Sequence, residues 1–334
     1  IYMHRGTNLI TNRSDNITLA NYIKNWDSYG PTWNNVDTQS NKFIQNGTGT
    51  VTLSNNSNDF YGKLQAVNGG LTITGSAGNV QNYVTNNGQA IVFDTTNATS
   101  NNQYINNISG TGTFSVTGTG KLELYDSRNG TFTGATTIDS GATLQLDYGK
   151  LGGDITNNGT LYFYSPSSMN YAGVISGSGN VKQNYGTLTF SGANTYTGNT
   201  LIGPDGGSTF YLGNGGTTGS LASASNISVG SGSTLYFNRS NAMTVANTIS
   251  GAGAVSLVTQ SGRDWNTDPS AIVTLTGDNT YTGITYLNPF TQLQLGSDGT
   301  TGSLASSSNI YMHRGTNLIT NRSDNITLAN YIKN

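Results

Sequence analysis

The side chains able to do acid–base chemistry are few. The chain carries sixteen acidic residues, a single glutamate, Glu123, among them, and its aspartates are scattered. Cleaving a glycosidic bond takes two carboxyl groups flanking it, about 5–10 Å apart. Glu123, Asp126, Asp139, Asp147 and Asp154 are the acids whose neighbourhood could place two on one face. An aspartate directly after a strand is ordinarily a turn former, because its side chain bonds the backbone two residues on. That is the reading adopted for these. The histidines, His4 and His313, occupy the same position in two copies of one repeated segment, so the chain has one distinct histidine and no His–Asp or Cys–His nucleophile system. With no cysteine and no His or Asp cluster at ligand spacing, no metal centre is expected. Many Gly-x-Gly runs occur, but none leads from a strand into a helix that could hold a phosphate. The sequence therefore predicts no catalytic, metal or cofactor-binding residues and no cofactor.

Aromatic residues are the second group, and their spacing shows the elements that carry them. Phe60-Tyr61-Gly62, Phe132-Thr133-Gly134, Tyr196-Thr197-Gly198 and Tyr281-Thr282-Gly283 are four versions of one tripeptide. Alternating runs such as Val51-Thr52-Leu53, Thr187-Leu188-Thr189-Phe190 and Val273-Thr274-Leu275 precede three of them. Others, such as Thr143-Leu144-Gln145-Leu146 and Gln292-Leu293-Gln294-Leu295, follow. A period of two is that of a strand with one buried face. Helical spacing is not sustained anywhere, while 45 glycines and abundant Asn, Thr and Ser supply turns. A third landmark is Ile108-Ser109-Gly110-Thr111-Gly112, echoed at Ile175-Ser176-Gly177 and Ile249-Ser250-Gly251 and, in degenerate form, at Ile23.

A longer period encloses the short one. Residues 310–334 repeat residues 1–25 without a change, an offset of 309, and the landmark isoleucines at 23, 108, 175, 249 and 332 divide that period into four. The expected organisation is one continuous solenoid over 1–334, with sub-repeats 23–107, 108–174, 175–248 and 249–331. In such a fold each coil, about 20–25 residues, pairs its backbone with the coils on either side, and Gly or Asn takes the left-handed corners. The class is all-β, a parallel β-helix. An open-ended array does not suit the closed blade number of a propeller.

These same residues resemble a known family. Asn194-Thr195-Tyr196-Thr197-Gly198 and Asn279-Thr280-Tyr281-Thr282-Gly283, each between alternating strands, look like the autotransporter-associated β-strand repeat of type V secreted passenger domains, and Ile249-Ser250-Gly251-Ala252-Gly253 resembles the segment that opens it. The unit around Phe132 is recognisable, and the one at Asp59-Phe60-Tyr61-Gly62 departs most. The resemblance implies a right-handed β-helix, export through an outer membrane and display on the surface of a Gram-negative bacterium. Parallel β-helices also include pectin-cleaving enzymes. Asn266-Thr267-Asp268 resembles one short polygalacturonase element, yet the Asp-Asp, Gly-His-Gly and Arg-Ile-Lys elements that accompany it are missing.

The formal charge of −2 offers no field to steer the chain onto nucleic acid, and no apolar run reaches the 18 or so residues of a membrane span. The expected role is structural: the shaft of an extracellular fibre or adhesin, with neighbouring repeats as end-to-end partners, lateral self-association and surface glycans as further partners. The tripeptide aromatics Phe60, Phe132, Tyr196 and Tyr281 are expected to be stacked structural residues. A lateral contact or ligand patch is expected elsewhere. Trp26 and Trp33 lie in the long insert of the first unit, and Trp265, beside Arg263, Asp264 and Asp268, lies in the insert of the fourth. In a tandem array those units are neighbours, which puts both inserts within about 20 Å along the axis. Replacing Trp33 and Trp265 by Ala should weaken bundling or adhesion and leave the β circular dichroism unchanged; undiminished binding would remove the patch.

Overall fold

A parallel strand leaves both backbone edges to be satisfied by neighbours, and here each neighbour is the next turn of the same chain. The structure is a computed structural model that describes residues 1–4, 6–25, 41–58, 60, 62–75, 82–86, 88–96, 102–105, 107–125, 132–147, 151–258 and 272–334. Among these residues there are strands and turns and no helix. The chain forms a β-solenoid of parallel strands. It divides into two compact units, Ile1–Tyr162 and Phe163–Asn334.

In the first unit Ile17–Leu19, Val51–Leu53, Leu71–Ile73, Ala90–Asp94, Thr113–Thr117, Thr136–Ile138 and Ile155–Asn157 follow one another across a parallel sheet. Ile17 sits beside Val51, Val51 beside Leu71, Leu71 beside Ile91 and Ile91 beside Phe114. Because side chains alternate, this register stacks the inward residue of each coil on that of the next, and Val51, Leu71, Ile91 and Phe114 are fully buried. A second sheet runs Asn8–Thr11, Lys42–Gln45, Lys63–Ala66, Asn82–Thr85 and Ile108–Gly110. Where the sheets meet, Tyr83, Phe93, Phe114 and Phe132 form a chain of edge-to-face rings with centroids 5.0, 5.9 and 6.2 Å apart. Such pairs add about 0.5–1.5 kcal/mol each beyond their burial.

The second unit repeats the plan. One sheet takes Ser168–Tyr171, Thr187–Phe190, Thr209–Leu212, Thr234–Asn238, Ala254–Val258, Thr285–Leu287, Ile310–Met312 and Ile332–Lys333. Another takes Met243–Val245, Ile272–Leu275, Gln292–Gly299 and Asn317–Arg322. Leu188, Phe210, Leu235 and Val255 stack as one buried column. The coil step lengthens from Val255 to Thr285, and in the first unit from Ile17 to Val51. Those two steps contain residues 259–271 and 26–40, the inserts named above, which lie outside the described residues.

One expectation is corrected at the corners. Glycine does take left-handed positions, for example Gly141 at φ 87° and Gly232 at φ 74°. Among the described residues no asparagine joins them; Tyr185, Phe290 and Asp298 do. At Phe290 the cause is local. Pro289 presets the second position of the turn Asn288–Thr291, closed by Thr291 N donating to Asn288 O at 3.2 Å, and the third position of such a turn needs φ > 0. Asparagine is used instead for side-chain bonds between coils.

Close stacking explains the glycines of the tripeptides. A Cβ on Gly198 would collide with the carbonyl of Gly179, and one on Gly283 with that of Gly253. Gly283→Ala should therefore destabilise the second unit by about 1–3 kcal/mol, as overpacking does. Gly299→Ala, where a methyl group meets nothing nearer than 4.0 Å, should leave the thermal midpoint within a degree or two. Equal midpoints for the two variants would contradict the stacking.

Candidate functional site

The four tripeptide aromatics are buried, between 0 and 3% exposed. Rings so enclosed present no face to a glycan. The structure joins them to a residue that the sequence reading left without a role, the asparagine two positions earlier. Asn58, Asn194 and Asn279 are buried, and each accepts a hydrogen bond from the backbone N–H of a landmark isoleucine: Ile23 at 3.0 Å, Ile175 at 2.9 Å and Ile249 at 2.9 Å. Those partners lie 35, 19 and 30 residues earlier, one coil back in each case. The amide nitrogens point the other way. Asn194 donates to Ser220 O at 3.3 Å and Asn279 to Ser303 O at 3.1 Å, both on the following coil. One side chain thus reaches the coils before and after its own, alongside backbone bonds at the same corner such as Thr195 N to Ile175 O at 2.8 Å and Asn194 N to Ser220 O at 3.0 Å.

The tyrosine completes the key. Tyr196 Oη lies 2.6 Å from Thr200 Oγ1, which lies 3.1 Å from Ser225 Oγ. Tyr281, Thr285 and Ser308 repeat this at 2.6 and 3.0 Å. Burial pushes the Tyr281 hydroxyl up to about 12 and Tyr196 higher still, against the lowering effect of these bonds. Both hydroxyls are thereby held neutral at any physiological pH.

The candidate acids are arranged for structure. Glu123 and Gln145 are register partners on adjacent coils, and both are buried with Asp147. Lys121 pairs with Glu123 and donates from Nζ to Gln145 Oε1 at 3.1 Å, while Gln145 Nε2 donates to Asp147 Oδ1 at 2.6 Å. Burial above all holds the Asp147 carboxyl above its ordinary range; Glu123 acts the same way and the Gln145 bond opposes it. A pair of acids with one raised is the pattern of a general acid beside a base. Here, however, both are engaged within the row and buried. Asp139 and Asp154 are exposed, and Asp139 O closes a turn by accepting from Ala142 N at 3.0 Å. Asp126 lies outside the described residues. His4 and His313 are both exposed, and each carbonyl closes a turn onto Thr7 or Thr316. Among the described residues no group of three or more His, Asp or Glu could hold a metal. The patch of Trp26, Trp33, Arg263, Asp264, Trp265 and Asp268 lies wholly outside the described residues.

An outward feature of the second unit escaped sequence reading. Register places Tyr211 beside Tyr236, Tyr236 beside Ser256, Ser256 beside Tyr286, Tyr286 beside Tyr311 and Tyr311 beside Lys333. The tyrosines are half-exposed. Tyr211 and Tyr236 stack at 4.6 Å with an 18° tilt; Tyr286 and Tyr311 meet at 5.7 Å, with the Lys333 ammonium 5.8 Å from the Tyr311 ring centre. Tyr164 and Tyr185, both exposed, pair edge-on at 5.4 Å. The tyrosines stand third in their strands at 211 and 236 and second at 286 and 311, and only the coil length shows that these positions align.

Parallel coils keyed by a buried Asn-x-aromatic corner define a repeat-built β-solenoid. Three stretches of it, residues 114–146, 181–203 and 270–288, match the passenger-associated-transport-repeat. These stretches hold Phe132, Tyr196 and Tyr281, and the divergent unit at Phe60 lies outside them. The chain is also similar to the autotransporter adhesin/invasin TibA of Escherichia coli O78:H11, at 31% identity over 202 residues. That alignment covers 56% of this chain and 19% of TibA, so the chain spans about a fifth of that relative. No solved structure matches the chain. Together the repeat match and the relative support an autotransporter passenger repeat.

The Asp147 environment yields a test of sign. Its folded carboxyl titrates above the unfolded one, so its favourable contribution is complete below the ordinary carboxylate range near 4 and is lost as pH rises through the folded value. Asp147→Asn keeps an acceptor for Gln145 without the charge. It should raise the thermal midpoint at pH 7 and leave it unchanged at pH 3; a lower midpoint at pH 7 would show that the ionised carboxylate stabilises this row.

Proposed function

We propose that the chain is the repeat shaft of an adhesin-like passenger protein, exported to the surface of a Gram-negative bacterium and lengthened in steps of the 309-residue period. The observation that carries this reading is the Asn-x-aromatic corner, in which Asn194 and Asn279 bond backbone groups of the coils before and after them and Asn58 bonds the coil before. A module built this way is extended by adding coils, and repetition supplies reach. The passenger-repeat matches and the adhesin relative fit the same role. A non-enzymatic part suits it too, because the buried acids serve the stacking. Neighbouring periods are its end-to-end partners, and lateral association of shafts would build a fibre or matrix.

The outward tyrosines favour a second reading, in which the repeats themselves hold surface glycans. Coils recur at about 4.8 Å; Tyr211 and Tyr236 stack face to face on neighbouring ones, and farther along Lys333 sets a cation against Tyr311. The two readings part on one experiment. Chains of one, two and three periods are displayed on a Gram-negative host. If the repeats are a shaft, the distance of a terminal tag from the membrane grows by equal steps, while glycan retention per molecule stays flat and no reducing sugar is released. If the repeats bind, retention rises with period number and falls when Tyr211 and Tyr236 become Ser. Tag distance that does not change with period number would remove the shaft reading.

A further inference from the structure

Two strands of the first unit bury polar side chains on the face that is half-open elsewhere. In Thr187–Phe190, Thr209–Leu212 and Ile272–Leu275 the inward residues are buried and those alternating with them are half-exposed. Lys121–Leu124 and Thr143–Leu146 break that pattern: Glu123 and Gln145 stand between inward leucines and are buried as well. Glu123 is the single glutamate of the chain. It is 6% exposed, Gln145 5% and Asp147 7%, so water is largely kept from all three. Lys121 reaches into the row with 28% of its side chain open.

The surroundings of Gln145 differ from those of other buried glutamines. Gln45 donates to Gly47 O and Gly49 O at 3.0 and 2.5 Å, and Gln183 to Tyr185 O, Gly186 O and Thr209 O at 3.2, 3.2 and 3.0 Å, bonds that fasten a corner. Gln145 instead has a cation on its oxygen and a carboxyl group on its nitrogen. Lys121 Nζ donates to Oε1 at 3.1 Å, and Nε2 donates to Asp147 Oδ1 at 2.6 Å. The Glu123 carboxylate touches the same Nζ, and Glu123 is the register partner of Gln145 on the adjacent coil. An amine, a carboxamide whose carbonyl it polarises and a carboxylate against the amine are the parts of an amide exchange. Holding the reacting groups in contact turns a sluggish bimolecular reaction into an intramolecular one, and keeping water out suppresses hydrolysis.

We propose that Lys121 and Gln145 join in an intramolecular isopeptide bond between adjacent coils, with Glu123 as the acid–base group. Glu123 takes a proton from the Lys121 ammonium, and the freed Nζ lone pair adds to Gln145 Cδ, one bond beyond the oxygen it already contacts. The π pair of the carbonyl moves onto Oε1. Glu123 returns its proton to Nε2, the Cδ–Nε2 bond breaks with its electron pair on nitrogen, and the carbonyl re-forms. Nζ sheds a second proton through Glu123, and the departing ammonia carries it away as ammonium. One carbon–nitrogen bond forms and one breaks; nothing is oxidised or reduced, and no co-reactant is needed. Asp147 is a positioning residue: by accepting from Nε2 it turns the amide so that its oxygen faces Lys121. The bond would lock two coils together in a chain that has no cysteine for a disulfide.

The mass of the folded, unsubstituted chain decides the matter. It should be about 17 Da below that of the sequence, the loss of one ammonia. Trypsin should then leave residues 129–150 joined to residues 64–128 through an uncut Lys121. Lys121→Arg keeps a cation but not the amine, and should retain the full mass of its own sequence. Glu123→Gln should slow the loss of ammonia at least about tenfold with β circular dichroism retained. Asp147→Asn still offers an acceptor and should link as the unsubstituted chain does. Full sequence mass with residues 129–150 released by trypsin would overturn the bond. So would an ammonia loss that maps to an Asn-Gly step and persists in Lys121→Arg, or a loss of about 18 Da, one water, joining Lys121 to Glu123. Linking at an undiminished rate in Glu123→Gln would overturn the part given to Glu123.

Discussion

Coil lies on coil because a parallel strand must find hydrogen-bonding partners on both edges, and that requirement governs the rest of the molecule. It fixes the spacing between successive turns of the chain at about 4.8 Å. Anything at a corner must fit within that distance. Glycine stands where one corner passes over the carbonyl of another, as Gly283 does over Gly253. Inward residues are chosen to fill a column, which is why Leu188, Phe210, Leu235 and Val255 share one line though they are 20 or more residues apart.

Backbone bonds continue from coil to coil at the corners, and the buried asparagines add side-chain bonds beside them. A chain without cysteine and with only 9% charged residues has neither disulfides nor many ion pairs to pin its turns. A side-chain amide offers an acceptor and two donors, so Asn194 and Asn279 accept from one coil and donate to the next. A slip of one residue would leave these groups buried and unpaired, a penalty of about 1–3 kcal/mol at each corner. The amides therefore set register as well as strength.

Fold class and period were legible because both are written locally. Alternation over four residues reveals a strand, and the match of 310–334 to 1–25 reveals the repeat. The structural part played by Tyr196 and Tyr281 could be read from their fixed place in each unit. Other features are defined only across coils. Nothing in the spacing of Asn279 from Ile249 announces a bond over 30 residues, since the insert between them differs in length from that between Asn194 and Ile175. The Tyr211–Tyr236 stack was hidden for the same reason. Glu123 and Asp147 could be named as acids that share a face, but their enclosure with Lys121 and Gln145 depends on register. At the corners, Phe290 takes a left-handed turn position because Pro289 precedes it, a local cue outweighed in the reading by the general preference for Gly and Asn.

Comparison among the units of this one chain separates what stacking demands from what it leaves free. The units have drifted far apart in sequence, yet Asn58, Asn194 and Asn279 make one bond, and Phe60, Phe132, Tyr196 and Tyr281 share one buried place. Those positions face inward or into a corner, where a substitution disturbs three coils at once. Outward positions carry no such demand. Along one sheet the same line holds Tyr211, Tyr236, Ser256, Tyr286, Tyr311 and Lys333; Ser256 is buried and accepts from Asn288 Nδ2 at 2.8 Å, while the tyrosines on either side are half-exposed. The fold thus permits this surface without requiring it. Among the described residues it is such positions that are left to meet partners outside the stack, because the inward residues and the Asn-x-aromatic corners are closed to solvent.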